Sequence, residues 1–143
     1  MTTPPALPPT ADQLTADLAA RIARRDLPEP PDEHVFTPER VRRRIETLLA
    51  PLIPGRNSRG MHTISLMLYG FLQREAYTAY QLAALAGVRR VAGSHAHGGL
   101  VRAGLLRYAY EGPRRVYRLT RYGEDWLLAV ARNEVPPAPP TVG

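Results

Sequence analysis

The sequence predicts a mainly helical α+β protein with six helices and one β-hairpin. Apolar residues recur at three- and four-residue spacing in several segments, which is typical of amphipathic helices. Threonine precedes several of these segments and glycine follows two of them, as expected at helix N-termini and C-termini. Two short strand-like segments flank Gly112 and Pro113, and this pattern predicts the hairpin.

Two helices are predicted in an N-terminal extension, residues 10–55. The first spans Ala11–Arg25, where Thr10 and Gln13 form a capping-box pattern ahead of a narrow apolar stripe. The second begins at Thr37, followed by a proline at the first helical position, where a missing N–H costs nothing. These helices could dimerise, pack on the later domain or bind a partner protein. Their apolar residues are Leu14, Leu18, Ile22, Val41, Ile45, Leu48, Leu49 and Leu52.

A core helix and a short helix are predicted next. Met61–Glu75 is strongly apolar and is expected to be a core helix. Thr78 then caps a short helix, Ala79–Ala86, which ends at Gly87 because glycine adopts a left-handed conformation easily. Ala83, four residues before this glycine, leaves room for the next helix to cross closely.

A longer helix, the hairpin and a final helix complete the predicted domain. The longer helix begins at Arg89 or Arg90 and ends at Ala103, just before a glycine. The segment LLRYAYEGPRRVYRL then predicts two short strands joined by a turn. Thr120 caps the final helix, which is expected to bury Trp126.

Proline-rich tails flank these elements at residues 1–9 and 134–143. Proline lacks a backbone N–H and cannot build helix or sheet interiors, so we expect both tails to be disordered. Residues 60–132 are expected to form one domain behind the N-terminal extension.

The composition excludes several kinds of chemistry. The chain has no cysteine, which excludes disulfides, thiolate nucleophiles and cysteine-built zinc sites. It has no lysine, which excludes a phosphate-binding loop ending in Gly-Lys-Ser/Thr. No run of about 18 apolar residues and no secretory signal are present, so we expect a cytoplasmic, nucleoid-associated protein without a membrane span.

Positive charge is confined to the later part of the chain. Residues 1–50 carry 7 Arg and 8 Asp or Glu, a net charge of 7 − 8 = −1. Residues 51–143 carry 12 Arg and 5 Asp or Glu, a net charge of 12 − 5 = +7. This balance favours contact with a polyanion, although an arginine-rich solvated surface would produce it too.

The predicted order of helix, short helix, glycine turn, helix and hairpin is that of a winged helix-turn-helix. Residues 60–132 resemble the bacterial winged-helix repressors of the MarR, ArsR and PadR type. The shared features are a turn Gly-Val pair, a "GL-hydrophobic" strand start and a closing "Y-x-L-T-x-x-G" segment. In this sequence they are Gly87-Val88, Gly104-Leu105-Leu106 and Tyr117-Arg118-Leu119-Thr120-Arg121-Tyr122-Gly123.

The resemblance implies that the helix at residues 90–103 enters the major groove of DNA and that the hairpin tip contacts a neighbouring groove or phosphates. Helical geometry directs Gly93, Ala96 and Leu100 inward. Arginines at the start of this helix could bind a guanine or a phosphate, and amides near Ala79 could bind a phosphate. The candidate DNA-binding residues are Thr78, Tyr80, Arg89, Arg90, Val91, Ser94, His95, Gly98, Arg102, Arg107, Arg114, Arg115 and Arg118.

Two features leave alternatives open. Gly93, Gly98 and Gly99 lie inside the proposed recognition helix. Each glycine in an exposed helix interior lowers the stability of the helix by about 1 kcal/mol relative to alanine. The helix could therefore begin late, bend, or become ordered only on DNA. The paired arginines Arg114 and Arg115 could also serve to protect an edge strand from aggregation.

Metal binding and catalysis are not expected. His95 and His97 are two residues apart, so on a helix they face different directions, unlike the four-residue spacing that suits zinc. Ser94 adjoins His95, but adjacent residues rarely align as nucleophile and base, and no orienting acid is evident. We therefore expect no cofactor and no enzymatic activity.

The function predicted from the sequence is a double-stranded DNA-binding, sequence-specific transcriptional regulator. It is expected to be a homodimer, which would match a two-fold symmetric DNA site. One alternative is a winged-helix protein-interaction module for a polymerase or replication component, with residues 10–55 as a possible contact surface. Another is a non-specific architectural DNA-binding protein.

Overall fold

The computed structural model describes residues 7–26 and 33–140. Over these residues the chain forms six α-helices and a three-stranded antiparallel sheet, which confirms the predicted mainly helical α+β class. The helices are α1 (Ala11–Asp26), α2 (Pro38–Leu49), α3 (Ser58–Gly70), α4 (Ala79–Ala86), α5 (Arg90–Arg102) and α6 (Arg121–Ala131). The strands are β1 (Tyr77–Thr78), β2 (Leu106–Glu111) and β3 (Arg114–Leu119), and a 3-10 helix spans Glu33–Phe36.

The chain divides into two compact units, residues 1–32 and 33–143. The first unit contains α1, whose predicted capping box is confirmed. The Thr10 N–H donates to Gln13 Oε1 at 2.9 Å, and the Gln13 N–H donates to Thr10 Oγ1 at 3.3 Å. Every residue of α1 is exposed. The second unit contains all other helices and the sheet.

The second predicted helix, α2, belongs to the core of the second unit. Thr37 caps it as predicted, since its hydroxyl oxygen accepts a hydrogen bond from the Arg40 N–H. Val41, Ile45 and Leu49 are buried in the same core as the apolar face of α3. Of the three roles considered for this helix, packing on the later domain is therefore the one observed. The predicted extension of residues 10–55 spans both units.

The boundaries predicted for α3 were wrong at both ends. The helix begins at Ser58 because Asn57 caps it, with Oδ1 accepting from the Gly60 N–H at 2.8 Å. It ends at Gly70, where the chain turns and the Tyr77 hydroxyl donates to the Gly70 carbonyl at 2.6 Å. The apolar pattern continues through Phe71 because that side chain is also buried, although it lies outside the helix.

The pair α4–α5 crosses closely around a glycine turn. Gly87 ends α4 in the left-handed conformation with φ 67°, as predicted. A Cβ atom on Gly93 would lie 2.9 Å from the Cβ of Ala83, so both small residues are required at the crossing. A Cβ on Gly99 would lie 3.2 Å from the Arg56 guanidinium. Packing thus explains two of the three glycines in α5.

The predicted hairpin is confirmed and forms part of a sheet with strand order β1–β3–β2. Strand β2 pairs with β3 in antiparallel register, with Tyr108 opposite Tyr117. On its other side, β3 pairs with β1, which places Tyr77 opposite the same Tyr117. Strand β1 was not predicted, because two residues are too few to show an alternating pattern.

The final helix is anchored to the end of α5 through the closing motif. Thr120 caps α6, accepting from the Gly123 N–H at 2.9 Å and donating to the Gly104 carbonyl. Trp126, Leu127 and Val130 are buried, as expected for the inner face of this helix. Thr120 of the closing motif therefore both caps α6 and ties it to the end of α5.

The predicted tails are only partly described. Residues 7–9 and 134–140 contain no helix or strand. Residues 1–6 and 141–143 of the same predictions lie outside the described residues. In the described part of the chain, no helix is long and apolar enough to span a membrane.

Candidate functional site

The two faces of α5 are divided as the sequence predicted. Gly93, Ala96 and Leu100 are buried against the core. The opposite face is exposed, with Gly98 half-buried between the two. The exposed predicted residues on or beside α5 are Arg89, Arg90, Val91, Ser94, His95 and Arg102.

The N-terminus of α5 has no side-chain cap. Arg89 occupies the N-cap position in extended conformation and makes no capping hydrogen bond. The first amide groups of a helix have no partner within it, and they carry partial positive charge. Together with the exposed arginines at 89 and 90, they make this helix end suitable for an anion.

The N-terminus of α4 is arranged differently. The Thr78 N–H donates to Gln81 Oε1 at 2.9 Å, and the Thr78 hydroxyl oxygen accepts from the Gln81 N–H. Both groups of Thr78 are therefore engaged inside the helix. Tyr80, the next predicted contact, is 83% exposed and is the more available of the two.

A cleft of about 310 Å³ separates α5 from the hairpin. Four predicted residues of α5 line one wall, and Arg115 of β3 contributes to the other. Arg102 and Arg115 thus bring one guanidinium from each element to the same cleft. The complete lining is Ser94, His95, His97, Gly98, Val101, Arg102, Tyr108, Arg115 and Tyr117.

Arg115 is held by two tyrosines of the hairpin. Its Nε–H donates to the Tyr110 hydroxyl at 3.0 Å, and its guanidinium lies 4.6 Å from the centre of the Tyr108 ring. The hydrogen bond to Tyr110, and then the neighbouring Tyr117, raise the pKa of Arg115. Tyr110 is 63% exposed, which gives the hairpin an aromatic as well as a basic surface. The sequence interpretation missed this aromatic cluster, although the alternation of Tyr108 and Tyr110 on one strand indicated it.

The remaining hairpin arginines are not equivalent. Arg118 forms an ion pair with Glu111 at 2.9 Å, which offsets its charge. Arg107 and Arg114 are exposed, and their side chains make no hydrogen bond or ion pair with any described residue. Arg107 lies opposite Arg118 in the strand register, and Arg114 lies at the tip. Among the described residues, the hairpin arginines that no carboxylate offsets are therefore Arg107, Arg114 and Arg115.

His97 is a residue of the cleft that was not among the candidate binding residues predicted from the sequence. It is buried, its ring lies 4.5 Å from that of Tyr117, and its Nδ1 has no hydrogen-bond partner among the described residues. Burial, and then the charge of Arg115, lower the pKa of His97. The signal was present in the spacing, because His97 follows the inward Gly93 by four residues.

Arg56 fixes the backbone of α5 from outside the helix. Its Nη2–H donates to the His95 carbonyl at 2.9 Å, although the two residues are 39 positions apart. Because it is one of the few side chains bonded to α5, Arg56 helps to hold the exposed face in one orientation. Nothing in the sequence near Arg56 indicates this contact, because its partner lies 39 positions away.

The two histidines of α5 lie on different faces of the helix. His95 is exposed and His97 is buried, so the expectation that they face different directions is confirmed. Across residues 7–26 and 33–140, no group of three or more His, Cys, Asp or Glu side chains could hold a metal ion.

The segment of the chain that contains α4 and α5 carries no acidic side chain. Between Glu75 and Glu111 the sequence contains no aspartate or glutamate, and this interval includes α4, α5 and most of β2. The arginines of α5 therefore have no carboxylate partner on their own helix or on the neighbouring one. Such a surface attracts anions.

Comparison of the chain with family models, with curated proteins and with solved structures yields no match.

Proposed function

We propose that residues 58–131 form a winged helix-turn-helix and that the protein binds double-stranded DNA as a transcriptional regulator. The element order from α3 to β3 supports this fold, with a helix, a closely crossed helix pair and a hairpin in sequence. The strand order β1–β3–β2 fits the same fold, since a short strand ahead of α4 pairs with the second strand of the hairpin.

One observation carries the proposal: the exposed face of α5 and the hairpin line the same cleft, with Arg102 and Arg115 on its two sides. A helix inserted in the major groove and a wing touching the adjacent phosphates must face the same side of the protein. The absence of acidic residues between Glu75 and Glu111 supports this orientation, because the DNA backbone repels carboxylates.

The proposed contacts fall into two groups. Arg89 and Arg90, with the uncapped amides of α5, would bind phosphates or a base edge at the start of the helix. Arg107, Arg114 and Arg115 would bind phosphates from the hairpin, because no ion pair offsets their charge. Ser94 and His95 would face base edges further along α5. Arg118 would contribute less, because it is paired with Glu111.

The test is the salt dependence of DNA binding by the full chain. Fluorescence anisotropy on mixed-sequence duplex DNA over ~50–300 mM salt would measure the slope of log K against log salt concentration. The double variant Arg89→Ala/Arg90→Ala should bind more weakly, with a slope shallower by about 1–2. The double variant Arg121→Ala/Arg132→Ala removes the same charge from the two ends of α6 and should leave the slope near that of the wild type.

Equal slopes for both double variants would place the phosphate contacts elsewhere and overturn the assignment of α5. Absence of any binding at ~50 mM salt would exclude DNA as the partner and favour the protein-interaction alternative. If binding occurs, competition with excess unrelated duplex distinguishes a sequence-specific regulator from an architectural binder. A preferred site should resist that competitor by at least about 10³-fold.

A further inference from the structure

We infer that α1 is a self-association helix that pairs antiparallel with α1 of a second copy of this chain. The helix exposes an aliphatic stripe, with Leu14, Leu18 and Ile22 at 54%, 50% and 41% exposure. None of its residues is buried. An isolated helix of this length is marginal in water, so α1 needs a partner surface to be stable.

The charges of α1 select the second copy and its direction. The first half carries Asp12 and Asp17, and the second half carries Arg21, Arg24 and Arg25. Asp26, the last residue, is already paired with Arg25 at 3.2 Å. A parallel pair would bring like charges together, whereas an antiparallel pair brings each acidic half against a basic half.

The stripe is compatible with the same arrangement. Centred on Leu18, an antiparallel pair places Leu18 against its own copy and Leu14 against Ile22 of the second copy. Asp17 and Arg24 lie on the same flank of the stripe. In an antiparallel pair this flank faces the same flank of the second copy in the reverse direction, so Asp17 of one copy is on the side of Arg24 of the other. The contact area of a 16-residue helix is small, which predicts weak, concentration-dependent association.

Cysteine cross-linking tests this geometry, because the natural chain has no cysteine. A disulfide requires the two Cα atoms to approach within about 7 Å. Full-length Leu18→Cys should form disulfide-linked dimers under mild oxidation. Ala16→Cys, on the far face of the same helix, should cross-link at least about tenfold more slowly. Equal rates for the two variants would indicate random collision and overturn the proposal, as would no dimer from Leu18→Cys.

A second pair of cysteine variants tests whether the two copies of α1 run parallel or antiparallel. Ala11 and Arg25 lie seven residues before and after Leu18, on the same face. In an antiparallel pair, Ala11→Cys chains should cross-link with Arg25→Cys chains in a mixture. Ala11→Cys alone should stay monomeric, because its two copies would be about 21 Å apart. Efficient cross-linking of Ala11→Cys with itself would show a parallel pair and overturn the inference.

Charge-reversal variants test the self-association of α1 without a covalent cross-link. In sedimentation equilibrium, Asp17→Arg should weaken association several-fold, and the double variant Asp17→Arg/Arg24→Asp should restore it. Failure of the double variant to recover would contradict the antiparallel flank pairing. These measurements need no DNA, so their outcome does not depend on whether the protein binds DNA.

Discussion

Among the glycines in the described residues, Gly123 has the least room for a side chain. A Cβ atom at this position would lie 2.1 Å from the Leu105 carbonyl oxygen, which is backbone and cannot rotate away. The Gly123 N–H also donates to the cap residue Thr120. The glycine of the closing motif is therefore explained by close packing between α6 and the start of β2.

Substitution at two glycines should have opposite effects on stability. Gly123→Ala should lower the free energy of unfolding by about 2–4 kcal/mol, because α6 must move away from Leu105. Gly98→Ala is the matched change in α5, where the nearest atom to a Cβ is the Arg102 guanidinium at 3.4 Å. It should raise stability by up to about 1 kcal/mol through helix propensity.

Urea denaturation of both variants measures these changes. A Gly123→Ala protein as stable as the wild type would show that α6 is not held against Leu105 as the structure indicates.

His97 is buried at the boundary between the core and the cleft beside α5. Its neutral ring is buried against Tyr117, and burial lowers its pKa below the ordinary value of 6.5. Below about pH 6.5 the unfolded chain takes up a proton that the folded chain resists. Stability contributed by neutral His97 is thus complete above that pH and is lost as the pH falls toward the lower pKa of the folded state.

The pH dependence of unfolding should therefore depend on this residue. Between pH 7.5 and 5.5 the wild type should lose more stability than His97→Phe, which keeps a ring but cannot be protonated. His95→Gln removes an exposed histidine and should retain the wild-type dependence. Urea midpoints at the two pH values measure the difference. The same loss in all three proteins would assign the effect to other groups.

The side chain of Arg44 hydrogen-bonds α2 to the end of α6. Arg44 donates from Nε to the Val130 carbonyl at 3.2 Å and from Nη2 to the Ala131 carbonyl at 3.3 Å. Its Nη1 also donates to the Val35 carbonyl ahead of α2. One guanidinium thus caps the C-terminal end of α6 and fixes α2 to it, which suits the planar, multiply donating group of arginine.

Loss of this contact should destabilise the second unit. Arg44→Ala should lower the free energy of unfolding by about 1–3 kcal/mol, because the carbonyls of α6 lose charged donors. The neighbouring Arg43 is exposed and pairs with Glu39 on the same helix, so Arg43→Ala should cost less than about 0.5 kcal/mol.

Arg44→Lys keeps the charge but loses the fork and should recover only part of the stability. Thermal unfolding of the three variants provides the comparison. Equal losses for Arg43→Ala and Arg44→Ala would rule out a special role for the inter-helix bonds.

Across the whole molecule, charge and packing are distributed between the two units. The core consists of residues from α2 onward, and the arginines that make the chain basic lie mainly in that unit. The first unit supplies an exposed helix with acidic and basic halves. The proposed DNA contact and the inferred self-association therefore involve different units, so each can be tested with variants that leave the other unit unchanged.

The sequence by itself determined the elements that local contacts define. The caps at Thr10, Thr37, Thr78 and Thr120 and the left-handed Gly87 were predicted and are present. Each depends on hydrogen bonds or backbone freedom within about four residues, so the spacing of residue types reveals it. The inward and outward faces of α5 followed from the same helical periodicity.

Only the tertiary structure decided the features that depend on distant residues. The end of α3 at Gly70, the short strand β1, the contact of Arg56 with α5 and the bond from Arg44 to α6 all join separate elements. A single sequence carries no spacing rule for partners 39 or 86 positions apart. Helix α2 illustrates the difference. Its apolar face is evident from the sequence, but only the structure shows that this face packs in the core with α3.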